Sequence, residues 1–101
     1  ILIIVLKRFT CDNNKIDNFI DFPIDNLDLN DYCVGYNQND NNFKLISIAN
    51  HIGNLNFGHY YSYVLNSKDD KWYEMNDTNI NEISKEDILT SNSYCLFYQK
   101  I

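Results

Sequence analysis

The stretch HYYSYVLNSKDDKWYEMN, residues 59–76, decides the fold because it has the pattern of one complete β-hairpin. Two runs rich in tyrosine, valine and tryptophan, at 59–65 and 70–76, flank the four residues 66–69, which read Asn-Ser-Lys-Asp. Aromatic and β-branched residues favour strands, whereas Asn, Ser and Asp favour tight turns. The pattern therefore predicts two antiparallel strands joined by a short turn.

The register of this hairpin predicts a pair of polar side chains at its open end. If Leu65 faces Asp70 across the turn, then His59 faces Asn76. A slip of one residue would place Asp77 opposite His59 and turn Asn76 to the other face of the sheet. Facing Cβ atoms lie ~5 Å apart, so either residue would offer a side-chain oxygen to the His59 ring.

Strand-like periodicity continues over most of the chain, so we predict a fold that is α+β and mostly antiparallel β. The opening run is continuously apolar and β-branched, which favours a central strand covered on both faces. No Pro/Gly-rich linker divides the chain, and the asparagine-rich residues 37–42 are expected to form a mobile loop. Beside the hairpin, strands are predicted at 1–9, 43–50 and 94–99.

The sequence favours one or two short helices beside these strands. Ser84 followed by Asp87 has the spacing of a capping box, and acidic residues suit the first turn of a helix. We therefore predict a helix over residues 84–90 and a second short helix near 28–32.

Length and charge limit the classes of partner. The 101 residues suffice for one compact domain or for part of a larger one, and the chain begins at Ile1, as a fragment or a processed product would. A net charge of -6 makes nucleic acid and anionic membranes poor partners. The apolar run at 1–6 is far shorter than the ~20 residues that span a bilayer.

The three cysteines, Cys11, Cys33 and Cys95, are too few and too scattered for a disulfide framework. They predict reduced thiols and a cytoplasmic or nuclear location. No zinc-ligand spacing is present, so no metal is expected.

His59 allows a structural and a catalytic interpretation. A histidine beside aromatic residues on a strand is more often a partly buried ring than a catalyst. Gly58, however, lets another chain approach the backbone, since it has no Cβ, and the loop at 52–57 is expected to move. Because free histidine titrates near pKa ~6.5, we predict that His59 is a general base whose ring is oriented by Asn76 or Asp77. His51 is the rival base, but we identify no comparable orienting residue for it.

A nucleophile for such a base is missing from the sequence. Cys11 leads into an acidic turn, which disfavours a thiolate, and Cys95 lies in an apolar strand, where a thiol is inert. Neither of these cysteines nor Cys33 begins a helix, and Ser47 and Ser62 lie on strands without an evident oxyanion site. The chain therefore supplies a candidate base and its orienting residue, which is half of an active site, without an evident nucleophile.

Several short motifs, in order and at compatible spacing over essentially the whole chain, resemble the C-terminal catalytic half of ubiquitin-specific proteases, which are cysteine-type ubiquitin carboxyl-terminal hydrolases. The most diagnostic is the Gly-His-Tyr box followed by Trp-x-x-x-Asn-Asp. The motifs are LIIVLKRF (2–9), FPIDNLDL (22–29), KLISIANHIGNLNFGHYYSYV (44–64), KWYEMND (71–77) and SYCLFYQK (93–100).

The resemblance implies the palm portion of a papain-like cysteine protease fold and assigns roles to particular residues. It makes His59 the general base, Asn76 the third residue of the triad, and Asp77 an adjacent acidic residue that assists. The substrate-binding residues it implies are His51 and Gly53 in a loop that moves when the ubiquitin tail enters, and Gly58 and Tyr60 around the base. A second such loop falls at about 35–42.

The resemblance also implies what lies outside these residues. The nucleophilic cysteine, the oxyanion-side asparagine and the zinc-binding fingers of the family all belong to an upstream part of the same catalytic domain. The expected partners are that upstream part and ubiquitin or ubiquitinated proteins, with no nucleic acid, no membrane and no cofactor. The expected function is hydrolysis after the C-terminal glycine of ubiquitin, by a chain that is inactive alone. The alternatives are a catalytically inactive ubiquitin-binding or scaffold module, and a β-rich domain whose motifs serve packing alone.

Overall fold

The predicted hairpin forms part of one seven-stranded antiparallel sheet within the described residues. The computed structural model of the chain describes residues 1–35 and 40–101. The strand order is β1-β7-β3-β4-β5-β6, and β2 pairs with β3 outside this path. The strands are β1 (Leu2–Val5), β2 (Leu27–Asp28), β3 (Asn42–Gly53), β4 (Gly58–Asn66), β5 (Lys71–Asn76), β6 (Asn79–Ile83) and β7 (Ser93–Lys100).

This architecture confirms the mostly antiparallel β class and the four strands predicted at 43–50, 59–65, 70–76 and 94–99. Strand β6 was not predicted, because its sequence, Asn-Ile-Asn-Glu-Ile, is polar at alternate positions and largely exposed. It forms because the two-residue turn after Asn76 returns the chain directly, and Asn76 pairs with Asn79.

The prediction of a central first strand is wrong. Strand β1 comprises only Leu2–Val5 and, within residues 1–35 and 40–101, lies at one edge of the sheet, paired with β7 alone. Its exposure alternates: Ile3 and Val5 are more than half exposed, while Leu2 and Ile4 pack against the core. Only one face of the strand formed by this apolar run packs against the core. The length of the run did not indicate that the other face is exposed.

The prediction of a helix over 84–90 is also wrong. The segment forms a single 3-10 turn, Lys85–Asp87, in which the N–H of Asp87 donates to the carbonyl of Ser84, and the Ser84 side chain makes no capping bond. Ile88, which follows the turn, is fully buried. A helix this short cannot offset its nucleation cost, so burial of Ile88 determines the local structure. A second 3-10 turn, Asn30–Tyr32, lies where the other short helix was expected.

The hairpin register differs from the prediction by one residue on each strand. Leu65 pairs with Trp72 rather than Asp70, so the four turn residues are 67–70. Asp70 adopts a left-handed φ of +57°, which places it in the turn rather than the strand. Asn66 supports this turn through its side-chain oxygen, which accepts from the N–H of Lys68. Because the shift moves both strands together, every side chain keeps its predicted face.

The core lies against one face of the sheet. Strand residues alternate between this face and the opposite one, as their period of two requires. Segments 22–24 and 88–89 cover the core face. The buried members of the core are Phe22, Leu45, Ile48, Tyr61, Tyr63, Trp72, Ile88, Leu96 and Tyr98.

Candidate active site

His59 is the second residue of β4, opposite Ile52 of β3. Its side chain points to the core face, on the same side as Tyr61 and Tyr63, but it lies beyond the end of the core and is exposed. An exposed ring at the end of a buried row is accessible to another chain while its backbone is fixed in the sheet.

Asn76 contacts His59. The His59 ring atom Nε2 and the Asn76 side-chain atom Oδ1 are 2.6 Å apart. The two residues are diagonal neighbours, because Ser62 pairs with Met75 and Asn76 ends β5 one position further. Diagonal side chains on one face remain within reach of each other, so the pair forms although the expected direct pairing is absent.

This contact fixes where the proton of the neutral His59 ring lies. A carboxamide oxygen only accepts hydrogen bonds, so Nε2 donates to Asn76 and carries the proton. Nδ1 then keeps its lone pair and is the atom able to take a proton from a partner. The arrangement is that of a base and its orienting residue.

Asp77, the other candidate orienting residue, occupies the turn between β5 and β6. Its φ of +54° is left-handed, and its side chain is exposed. Among the described residues, the side-chain hydrogen bond of the His59 ring goes to Asn76. The roles assigned to His59, Asn76 and Asp77 stay predictions, and of the two orienting candidates it is Asn76 that the fold brings to His59.

Tyr61 supports the ring of His59 from the core side, a contact that the sequence analysis missed. The two rings are nearly parallel, with an interplanar angle of 15° and centroids 6.5 Å apart. The Tyr61 hydroxyl accepts a hydrogen bond from Nδ2 of Asn92 at 3.0 Å. The tyrosine-rich pattern signalled a strand, but only the pairing of distant segments could reveal that Asn92 holds this ring.

His51 lies on the opposite face of the sheet and is only 3% exposed. Its ring contacts those of Tyr60, Phe9 and Tyr94. Burial lowers the pKa of His51 below its ordinary value, and the nearby Lys15 ammonium lowers the pKa further. Within the described residues Nδ1 of His51 has no hydrogen-bond partner. The neutral ring is therefore favoured, and its predicted role in substrate binding stays a prediction.

The other predicted substrate-binding residues surround the β3–β4 turn. Gly53 pairs with Gly58, so β3 extends three residues beyond the predicted strand end at Asn50. Gly53 has a φ of +113°, where a side chain would be strained and would meet the backbone of Phe57. Tyr60 is 58% exposed and lies on the same face as Gly58.

The turn itself, residues 54–57, is closed by the Asn54 side chain, whose oxygen accepts from the N–H groups of Asn56 and Phe57. Ile52, Leu55 and Phe57 expose apolar side chains there. The turn that precedes His59 therefore exposes apolar side chains, while its backbone is held by the Asn54 side chain. The second predicted loop, at about 35–42, includes residues 36–39, which lie outside the described residues.

Arg8 anchors the segment that follows β1, a role that no pattern in the sequence indicated. The guanidinium is 2% exposed and donates to the carbonyls of Ser93, Ile16 and Asn18. These bonds tie the segment after β1 to the start of β7. Basic residues at the end of an apolar strand are usually solvated, so burial of Arg8 was not predictable from its neighbours.

The three cysteines are free thiols. Burial raises the pKa of Cys95, which disfavours its thiolate. Cys11 is exposed in the turn after β1, and Cys33 is half-buried directly after the 3-10 turn Asn30–Tyr32. Among the described residues no group of three His, Cys, Asp or Glu side chains is placed to hold a metal ion, and no helix there is long and apolar enough to cross a membrane.

A cavity of about 200 Å³ lies at the other end of the hairpin and includes Leu65 and Trp72 in its lining. Three lysines line it, each close to an acidic side chain, so the cavity has no dominant charge. The ion pairs are Lys44–Asp70, Lys71–Glu82 and Lys85–Asp25. Balanced charges of this kind select no ligand class, and we assign none.

The chain resembles known proteins over its whole length. The sequence profile of the family described as ubiquitin carboxyl-terminal hydrolase matches residues 1–98. Ubiquitin carboxyl-terminal hydrolase 8 of Arabidopsis thaliana is 42% identical over 105 residues, covering 100% of this chain and 12% of the relative. Ubiquitin carboxyl-terminal hydrolase 15 of Homo sapiens is 34% identical, covering 99% of this chain and 10% of the relative. The chain therefore spans about a tenth of the length of these relatives.

Solved structures agree with this assignment. The Ubp8-Sgf11-Sgf73-Sus1 SAGA DUB module contains a chain that is 36% identical, with a TM-score of 0.84, covering 99% of this chain and 24% of that one. A SAGA DUB module containing Ubp8 and bound to monoubiquitin matches at 32% identity and a TM-score of 0.80, covering 98% of this chain and 23% of that one. As the sequence motifs predicted, the chain belongs to the ubiquitin carboxyl-terminal hydrolase family of ubiquitin-specific, cysteine-type proteases.

Proposed function

We propose that these residues supply the general base and its orienting residue to a thiol-dependent deubiquitinase, which hydrolyses the bond after the C-terminal glycine of ubiquitin. The observation that carries the proposal is the 2.6 Å contact between Nε2 of His59 and Oδ1 of Asn76, on an exposed ring. Membership of the family and the names of the relatives support the reaction class. Residues 1–101 form the C-terminal part of the catalytic domain in this proposal.

The chemistry follows from the tautomer of His59. Nδ1 takes the proton of a cysteine thiol from the upstream part of the domain, and the thiolate attacks the carbonyl carbon of the ubiquitin glycine. The imidazolium then gives this proton to the leaving lysine amine. In the second half, Nδ1 takes a proton from a water molecule, whose oxygen attacks the thioester carbonyl; the C–S bond breaks, ubiquitin leaves with a free C-terminal carboxyl group, and the imidazolium returns the proton to the cysteine sulfur. The oxygen of Asn76 holds the ring throughout, without adding a charge.

Two further features support ubiquitin as the partner. Exposed apolar side chains at 52, 55, 57 and 60 surround the site and offer contact area to an extended peptide tail. The chain has a net charge of -6, which favours a partner with a basic surface. The free cysteines agree with a reducing compartment, the cytoplasm or nucleus, where a catalytic thiol stays reduced.

The test uses the full-length protein that contains these residues and a ubiquitin vinyl sulfone probe. We expect covalent capture at a cysteine outside residues 1–101, and loss of ubiquitin–rhodamine hydrolysis in His59→Ala. Lys68→Ala, in the exposed turn at the far end of the hairpin, is the matched control and should retain full activity. Binding of ubiquitin without capture or turnover would favour the inactive binding module, and the proposal of an enzyme would be wrong. The isolated chain is expected to be inactive, and hydrolysis by it would place the nucleophile among Cys11, Cys33 and Cys95.

A further inference from the structure

Gly58, the residue before His59, lies against the ring of His51. A Cβ atom built on Gly58 would lie 3.0 Å from both Cδ2 and Cε1 of His51, and closer still to Nε2. Real Cβ atoms essentially never approach other heavy atoms below 3.0 Å. The imidazole of His51 therefore fills the space that any side chain at position 58 would need.

His51 cannot easily move aside to make room. Its ring is enclosed by Tyr60, with centroids 4.8 Å apart, and by Phe9 and Tyr94 at 5.8 and 6.1 Å. Its backbone is fixed on both sides, because its N–H donates to the carbonyl of Asn92 at 2.9 Å and its carbonyl accepts from the Lys15 ammonium at 2.7 Å. Interiors packed in this way transmit a displacement rather than absorb it.

The contact lies directly behind the proposed base. Gly58 pairs with Gly53 and His59 with Ile52, so the first two residues of β4 pair with the last two residues of β3. A shift of the Gly58 backbone away from His51 would also move His59, whose ring donates a hydrogen bond to Asn76. Displacements of about 1 Å at reacting groups can cost ~10²-fold in rate.

We propose that His51 and Gly58 form a positioning pair. The His51 ring packs against the Gly58 backbone and thereby fixes the position of the next residue, His59. The glycine is then required by its contact with His51, on the face of the sheet opposite the His59 side chain, and not by the passage of substrate. His51 acts through His59 and touches no reacting atom. This inference rests on the proposed deubiquitinase function for its kinetic consequence, while the contact itself is independent of that function.

A mutant cycle in the full-length protein tests the pair. Gly58→Ala should lower kcat of ubiquitin–rhodamine hydrolysis by ~10²-fold with little change in KM, because position and not binding is lost. Adding His51→Ala to Gly58→Ala removes the obstructing ring and should restore kcat by about tenfold relative to Gly58→Ala, a change of ~1.4 kcal/mol in the activation free energy. His51→Val, a smaller side chain suited to a strand, should give the same recovery if the alanine variant folds poorly.

The matched control combines Gly58→Ala with Ile88→Ala, which opens space in the main core away from His51. Its effects should add without any recovery, since distant sites are independent. If an active wild-type protein gives double variants no faster than Gly58→Ala alone, the inference is wrong and substrate excludes the side chain.

A wild-type protein without turnover would contradict the proposed function. The contact between His51 and Gly58 is then tested by thermal unfolding. Gly58→Ala should then lower the thermal midpoint and His51→Val should raise it again. Additive losses of the thermal midpoint would overturn the pair independently of activity.

Discussion

The two histidines of the chain, on neighbouring strands, have opposite environments. His59 is exposed, lies on the core face beyond the end of the core, and shares a hydrogen bond with Asn76. His51 is buried on the other face among aromatic rings, and in the described part of the chain its Nδ1 has no hydrogen-bond partner. A ring that must exchange protons needs access and an orienting oxygen, whereas a ring that fills space needs neither. The comparison therefore supports the catalytic role proposed for His59 and indicates a packing role for His51.

The largest expected effect is on turnover in His59→Ala. Removing the proposed base should lower kcat of the full-length protein by ~10²–10⁴-fold, with KM little changed, because the base acts only during proton transfer. The measurement is steady-state hydrolysis of ubiquitin–rhodamine. Ubiquitin binding, measured separately by calorimetry, should persist, because the ring is exposed and its loss opens no core cavity. Wild-type turnover in His59→Ala would remove the functional contrast between the two histidines.

Asn76 is expected to have the next largest effect, and Asp77 a smaller one. Asn76→Ala leaves the His59 ring without its acceptor and should lower kcat by about 10- to 10²-fold. Asp77→Ala should lower kcat far less, since the His59 ring is held by Asn76. Both variants are measured by the same hydrolysis assay, with Asn81→Ala on the exposed strand β6 as a matched asparagine control. A larger loss in Asp77→Ala than in Asn76→Ala would reverse the assignment of the orienting residue.

A stability measurement separates the histidines in the opposite order. His51→Ala removes a buried ring from a packed cluster and should destabilise the β3–β4 region by about 2 kcal/mol. His59→Ala should change stability by no more than ~0.5 kcal/mol, as exposed substitutions usually do. Hydrogen exchange of the amides in β3 and β4 of the full-length protein measures both local opening energies. Equal losses in the two variants would show that His59 is also a packing residue.

The contrast between the histidines was only partly predictable from the sequence. The aromatic hairpin predicted the strands, and side-chain alternation placed His59 and Asn76 on one face despite the wrong register. The observed partner of each β4 residue lies two positions after the predicted one. Because side chains alternate between the faces with a period of two, such a shift leaves each side chain on its predicted face. The same local reasoning ranked His51 lower only because no orienting residue was evident.

What local pattern could not supply was long-range packing. The burial of His51 depends on Phe9 and Tyr94, which belong to the segments at the two ends of the chain. The edge position of β1 and the lost helix at 84–90 have the same cause. In each case the deciding contacts join residues far apart in sequence, such as Arg8 with Ser93.

The smallest expected effect is a pH dependence of stability due to His51. Its pKa in the folded protein is lowered, first by burial and second by Lys15, while Asp17 acts in the opposite direction. The side chains of Tyr60 and Tyr94 also face the ring. Below the ordinary pKa of 6.5 the unfolded chain binds a proton at this position that the folded chain binds less readily. The free energy of unfolding should therefore fall as the pH falls from above 6.5 into the range between the two pKa values, and level off below the folded value.

Urea unfolding of the full-length protein at a series of pH values measures this dependence. His51→Val, which has no titrating group, should show a flatter dependence between pH ~7.5 and ~5.5. His59→Ala provides the matched comparison and should keep the wild-type slope, because this exposed histidine lies outside the buried cluster around His51. If the slope disappears in His59→Ala and remains in His51→Val, the environments of the two histidines have been assigned in reverse.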